Sequence, residues 1–339
     1  MIRLGIIGYG YWGPNLVRNF MELPESTVAH VADLDPTRLA RAKARWPGVK
    51  VSTDWREILR DPTVDAVAIA TPVSTHFELA REVLESGRHV LIEKPMTATV
   101  DEADRLVEIA GLSQKILMVD QTFLYAGAVR KIKEIVDRKE LGDIYYFDSV
   151  RVNLGLFQKD VNVLWDLAAH DISIMLHLLG LMPTGVSALG AAHFQDGSED
   201  IAYLTALFDG QCIAHFHVNW LAPVKVRMTL IGGSRKMIVY DDTLTSEKVK
   251  IYDKGVSVET REDLYNVLVQ YRSGDMHAPK LDQTEPLQIG CLHFLDCIRT
   301  GRPALSDGRL GRDVVRVLEA AQISLRDGGR VVAVGGAGR

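Results

Sequence analysis

Within the first thirteen residues an apolar run, Ile2 to Ile7, breaks into the glycine pattern Gly8, Gly10 and Gly13. The run reads as a buried strand and the glycines as a turn into a helix. In a nucleotide-binding turn each glycine has a task. Gly8 permits the tight turn, Gly10 lets backbone approach a pyrophosphate, and Gly13 allows close helix packing with the helix N-terminus facing the phosphates. Pro14 suits the first helical turn, where the amide it lacks would be unpaired anyway. Glycine turns between strand and helix are common structural devices, so context decides. A second apolar stretch, Val28 to Ala32, ends in Asp33, twenty positions after Gly13, where an acid accepts from a ribose hydroxyl. A carboxylate there repels a 2′-phosphate and Leu34 supplies no arginine beside it, which favours NAD over NADP; Arg38 could still swing in.

With 339 residues the chain exceeds one ordinary domain, and two are expected. Its 47% hydrophobic and 24% charged residues fit a globular protein with an ample core. A net charge of -5 without a long basic run gives no footprint for nucleic acid or an anionic membrane, leaving small metabolites as ligands. No signal-type segment leads the chain and no apolar stretch is long enough to span a bilayer, so the expected location is cytoplasmic. Cys212, Cys291 and Cys297 show no C-x-x-C spacing and read as reduced, structural thiols.

The first third keeps a strand-helix rhythm. Val64 to Ala70 reads as a buried strand stopping at Thr71 and Pro72, at the carboxyl end where open α/β sheets place ligands. His76 begins the next helix, either near the nicotinamide side or as a capping residue. The strand from His89 to Ile92 delivers Glu93, Lys94 and Pro95 to the same edge, where Lys94 is either a surface ion-pair partner or the holder of a substrate hydroxyl. A strand at Ile116 to Val119 completes the sheet, and this α/β domain is expected to span 1–122.

From 123 to 339 longer strands in series, with helices at either end, predict an α+β domain on a large, mostly antiparallel sheet. Gly210 sits in a turn that makes a hairpin of Ala202–Phe208 and Cys212–Trp220. In a helix predicted around Trp165 to Leu179, Asp166 and His170 stand four apart, one turn from each other. A carboxylate that fixes a histidine's tautomer and raises its basicity makes a proton acceptor, although such a pair is also common as a solvated helix start. Asp171 points away. His215 and His217 share a strand face but have no third ligand at recognisable spacing, so they read as sheet-surface histidines and no metal is expected. Neither a G-x-S-x-G elbow nor a G-x-x-x-x-G-K-S/T phosphate loop is present.

Three motifs then coincide: Gly8-Tyr-Gly10-Tyr11-Trp12-Gly13, Glu93-Lys94-Pro95 and Asp166-x-x-x-His170. Together they resemble the Gfo/Idh/MocA oxidoreductases along essentially the whole chain. The resemblance implies a Rossmann domain followed by a substrate-binding and dimerisation domain, a Lys94 beside nicotinamide and substrate, a cis Lys94–Pro95 bond, and a basic His170 oriented by Asp166. It adds Tyr11, Trp12 and Glu93 to the expected cofactor contacts. The stretches Thr122–Tyr125, Asn153–Phe157, Val161–Asp166 and Tyr271–Asp275 are similar to bacterial nucleotide-sugar 3-dehydrogenases, which oxidise the 3-hydroxyl of a UDP-N-acetylglucosamine or its uronic acid. Gln121 departs from the histidine that relatives often carry.

The implied reaction is reversible hydride transfer, with Lys94, His170 and Asp166 catalytic and Tyr125, Arg151 and Asn153 as further substrate contacts. Arg151 and Asn153 also read as exposed strand residues. A homodimer or homotetramer is expected, with one broad sheet face as its surface. The alternatives are an inositol or free-sugar dehydrogenase, a non-catalytic NAD-responsive regulator, and an NAD-dependent glycosidase.

Overall fold

The protein is described from a computed structural model covering residues 1–155, 160–194, 197–210, 212–253, 255–257, 270–272 and 274–335. Leu156 and Phe157 of one stretch singled out above, and Ser273 of another, lie outside the described residues. The chain packs as two compact units. One comprises Met1–Tyr125 with Thr284–Glu319, the other Ala126–Gln283 with Ala320–Arg339.

The first unit holds β1 (Ile2–Ile7), β2 (Ser26–Ala32), β3 (Lys50–Ser52), β4 (Ala66–Ile69), β5 (His89–Glu93) and β6 (Leu117–Asp120). They form one parallel sheet in the order β3-β2-β1-β4-β5-β6. All four residues of β4 and of β6 are buried, as expected of parallel strands covered on both faces. The cover includes α1 (Gly13–Glu22), α2 (Pro36–Arg45), α3 (Arg56–Arg60), α4 (His76–Glu85) and α5 (Val100–Ser113). Asp35 starts α2 by accepting from the amide of Thr37. Strand order reverses between β1 and β4, so the loops after these strands diverge and leave a crevice at their carboxyl ends.

The second unit begins with α6 (Gly127–Asp137) and β7 (Ile144–Leu154). A π-helical turn (Leu164–Ala168) runs into α7 (Ala169–Leu179). There follow β8 (Gly185–Ala191), β9 (Ile201–Leu207), β10 (Ile213–Asn219), β11 (Leu221–Gly233), β12 (Met237–Asp241) and β13 (Val249–Tyr252). Then come β14 (Gly255–Ser257), β15 (Gln270–Arg272), β16 (Met276–His277) and, near the end of the chain, β17 (Val332–Ala333). Nine of these strands make one sheet, β16-β13-β12-β11-β7-β10-β9-β8-β17. Every pairing is antiparallel except β7 with β10. The hairpin β9–β10 turns at Gly210, whose φ of 98° is open to glycine at no steric cost. Register shifts between Leu221 and Val226 of β11, around Pro223, which has no amide for the ladder.

The last two helices, α8 (Pro286–Thr300) and α9 (Gly308–Arg326), were expected to follow the second sheet. Instead α8 and most of α9 pack in the first unit, while the end of α9 lies in the second. Side chains explain the return. Arg18 of α1 makes an ion pair with Glu285 at 2.6 Å, and Phe20 meets Phe294 edge-on at 6.4 Å between centroids.

Candidate active site

In the first unit the glycines behave as the spacing requires. Gly8 has φ of 96°, and a Cβ there would lie 2.4 Å from the carbonyl oxygen of Ala70; at Gly13 it would lie 2.1 Å from that of Gly8. Both are therefore fixed by the turn itself. A Cβ at Gly10 would meet only the end of Arg38, at 3.5 Å, so the protein alone does not demand glycine at this position. A ligand backing onto the main chain does. The start of α1 has no side-chain cap, leaving amide donors suited to a phosphate.

Beside this turn opens a cavity of about 370 Å³, lined among others by Gly8, Gly10, Asp33, Arg38, Thr71 and Pro72. Asp33 Oδ2 accepts from the amide of Tyr9 at 2.6 Å and Oδ1 from that of Asp35 at 2.8 Å, which aims the carboxylate. Arg38 Nη1 stands 3.5 Å from it. These residues fit a dinucleotide: glycine where backbone must be approached, donors for phosphate, an acid for ribose. A larger cavity, about 660 Å³, opens at the opposite edge of the sheet among residues including His89, Lys115 and Arg309; it meets neither the glycine turn nor the strand-end acids.

His76 is 1% exposed, and its Nδ1 and Nε2 lie 2.9 and 2.8 Å from the carbonyl oxygens of Pro95 and Thr71. It ties the loop after β4 to the Glu93-Lys94-Pro95 loop after β5, holding the edge in shape. The Lys94–Pro95 bond is cis. Trp12 donates from Nε1 to Asp120 Oδ2 at 3.1 Å and stacks on Tyr11, which is 81% exposed. Asp120 was not singled out from sequence, nor was its pairing with Glu93. Burial and the neighbouring Asp120 push the Glu93 carboxyl well above the usual carboxylate range.

In the second unit Asp166 lies in the π turn and His170 in the first turn of α7. Asp166 Oδ2 accepts from Trp220 Nε1 at 3.0 Å. The indole is 1% exposed and fills the space that a Cβ on Gly155 would take, 2.7 Å from Trp220 Cδ1. Its backbone is pinned as well, donating to Asp200 and accepting from Gly155. Asn162 Oδ1 accepts from the amide of Trp165 at 3.2 Å, capping the turn that carries Asp166. A π turn has a longer period than an α-helix and commonly marks functional positions; i, i+4 counting missed both it and Trp220. Asn153, one residue before the end of β7, is partly exposed.

Two residues expected to contact substrate have partners inside the protein. Tyr125 is 3% exposed and its hydroxyl lies 2.9 Å from Ser306 Oγ, within the first unit. Arg151 is 4% exposed and grips Asp171 through two hydrogen bonds of 2.8 and 2.7 Å. The parity of β7 held the signal, since Phe147, Ser149 and Arg151 share its buried face. Among the described residues no group of three or more His, Cys, Asp or Glu could hold a metal ion. No described helix is long and apolar enough to cross a membrane.

Residues 2–121 match the oxidoreductase family with NAD-binding Rossmann fold, and 129–239 match the GFO/IDH/MocA C-terminal domain. The chain belongs to the Gfo/Idh/MocA oxidoreductase family. The UDP-N-acetylglucosamine 3-dehydrogenase of Acidithiobacillus ferrooxidans is 27% identical over 94% of this chain and 95% of its own. Its solved structure superposes with a TM-score of 0.82, covering 96% and 98% at 25% identity. The NADP-dependent scyllo-inositol 2-dehydrogenase of Bacillus subtilis is 25% identical over 96% and 94%. A solved structure from Magnetospirillum magnetotacticum MS-1 is 32% identical, with TM-score 0.81 over 94% and 99%.

Proposed function

We propose that the protein is an NAD-dependent dehydrogenase that moves a hydride between a sugar hydroxyl carbon and nicotinamide, its substrate a UDP-N-acetylhexosamine or the corresponding uronic acid reacting at C3. The observation that carries the reading is the cavity at the carboxyl edge of the parallel sheet. Asp33 lines it, and three strands along from β2 the same edge carries the Glu93-Lys94-Pro95 loop. Likeness to the UDP-N-acetylglucosamine 3-dehydrogenase over nearly the full length of both chains supports the substrate class.

Gly8, Gly10 and Gly13 would hold the pyrophosphate and Asp33 the adenosine ribose, the acid favouring NAD; the nicotinamide, when bound, supplies the hydride acceptor. Lys94 donates a hydrogen bond to the substrate oxygen and stabilises the negative charge growing on it. His170 takes the hydroxyl proton as general base, with Asp166 orienting it. Trp220 positions Asp166 by fixing one of its oxygens. The same reading includes assembly as a homodimer or homotetramer.

The test is NADH absorbance with purified protein, NAD and a panel of UDP-sugars, free inositols and hexoses. Signal with UDP-N-acetylhexosamines alone is expected, and Lys94→Ala and His170→Ala should each abolish it while leaving NAD binding largely intact. Signal with free polyols only would move the protein to the inositol reading, which the scyllo-inositol dehydrogenase relative favours. Full activity in either variant would sink the assigned roles.

A further inference from the structure

Glu93 and Asp120 end neighbouring parallel strands, and the register sets them side by side. Their carboxyl groups are hydrogen-bonded to each other. A carboxylate has no hydrogen to give, so a bond between two carboxyls requires a proton on the pair. The other partners say which group carries it. Asp120 Oδ2 accepts from Trp12 Nε1 at 3.1 Å and Oδ1 from Thr122 Oγ1 at 2.8 Å, so both its oxygens are used as an anion uses them. Glu93 Oε1 is buried with no such donor. The Lys94 amide and charge favour an anion at Glu93, but burial and the Asp120 carboxylate oppose it more strongly, which puts the proton on Glu93.

The pair also sits where a cofactor's charge would be felt. Trp12 belongs to the glycine turn, so Asp120 is tied directly to the dinucleotide cradle, and Lys94 follows Glu93 in the chain. The oxidised nicotinamide ring is cationic and the reduced ring is neutral; the two forms meet this pair with different electrostatic consequences.

We propose that Glu93 and Asp120 act as one singly protonated acid pair that senses the oxidation state of the cofactor: binding NAD⁺ expels the shared proton to solvent, and binding NADH leaves it in place. The inference rests on the NAD-dependent reading above. In the binding step no electrons move. The pair goes from one proton and one negative charge to no proton and two, and the cationic ring offsets the added charge. A released proton makes binding of the oxidised form tighten as pH rises, by up to about tenfold per pH unit, until the free pair loses its proton on its own. Affinity for NADH stays level.

Other groups surround the pair. Lys94 lies beside it, and His76 of α4 is bonded to the Pro95 carbonyl. Tyr125 and Cys291 of α8 are both pushed up by burial and stay neutral, and the Arg18–Glu285 ion pair stands beyond Cys291. Glu93→Gln leaves every one of these in place, and its amide donates to Asp120 with no proton to lose.

The experiment is calorimetric titration of the full-length protein with NAD and with NADH, in buffers of different ionisation enthalpy between pH 6 and 9. Infrared difference spectra of wild type against Glu93→Gln accompany it. Expected are about one proton released with NAD and none with NADH, a pH slope for NAD that flattens in Glu93→Gln, and a protonated-carboxyl band at neutral pH that the variant lacks. Asp120→Asn, which should flatten the slope as well, serves if Glu93→Gln fails to fold. No such band, or the same NAD slope in wild type and variants, overturns the pair with the dehydrogenase reading intact. If wild type binds neither dinucleotide, the dehydrogenase reading falls and the coupling with it, while the band still reports whether a proton is shared.

Discussion

Asp166 shows how much a single N–H can settle. A carboxylate on a π-helical turn has several rotamers open to it, and the 3.0 Å hydrogen bond from Trp220 fixes one of its oxygens. Hydrogen bonds to charged groups contribute about 1.5–3 kcal/mol. Trp220→Phe keeps most of the bulk that fills the space over Gly155 and removes only the donor. Turnover should fall by about tenfold or more while NAD affinity and KM change little, because Trp220 positions Asp166 and takes no part in the cofactor cradle. Steady-state kinetics alongside a thermal melt checks this; equal loss of stability and activity would reduce Trp220 to packing. From sequence, Asp166 and His170 were legible as a motif, whereas Trp220 was not. Fifty-four residues separate donor from acceptor, and a strand-end tryptophan looks like core.

Among elements, β7 and the first turn of α7 are joined by a buried charge pair. Arg151 and Asp171 have 5% and 3% of their side chains exposed and are 2.7 Å apart. Removing one partner of such a pair leaves an uncompensated charge in the interior, which costs about 3–5 kcal/mol. Arg151→Met should show a loss of that size in urea unfolding, and adding Asp171→Leu should recover much of it, since an apolar pair of similar volume needs no charge compensation. Strand parity could have placed Arg151 inside, yet arginine composition pulled the expectation outward; the pairing with Asp171 depends on a helix twenty residues on. The glycine turn and Asp33 needed no such distant partner. Their tasks are written in backbone sterics within one β-α-β unit, and they stand in the structure where the spacing put them.

At the level of the whole molecule, the nine-stranded sheet carries exposed apolar groups on neighbouring strands. Leu189 and Tyr203 are 57% and 46% exposed and pair across β8 and β9, and Tyr203 stacks on His217 of β10 at 4.5 Å between centroids. A second copy of the chain is the occupant our functional reading assigns to this row. Light scattering should find a dimer or tetramer, and Leu189→Asp with Tyr203→Glu should shift it toward monomer while the melting temperature holds. A monomeric wild type would remove the assignment. Domain order along the chain was legible up to the second sheet and no further. Both α8 and α9 show apolar faces that any sheet could bury, and only contacts across more than 260 residues, such as Arg18 with Glu285, select the first unit.

The polypeptide therefore passes between its two units three times, at 125/126, 283/284 and 319/320, the last inside the continuous helix α9. Joining this chain to a relative by a single crossover after the first sheet would strand Phe20 without Phe294 and Tyr125 without Ser306 from its own lineage. Recombination that preserves these partners has to exchange 126–283 as an insert and treat α9 as common property, so the second sheet travels as an internal cassette and not as a joined half.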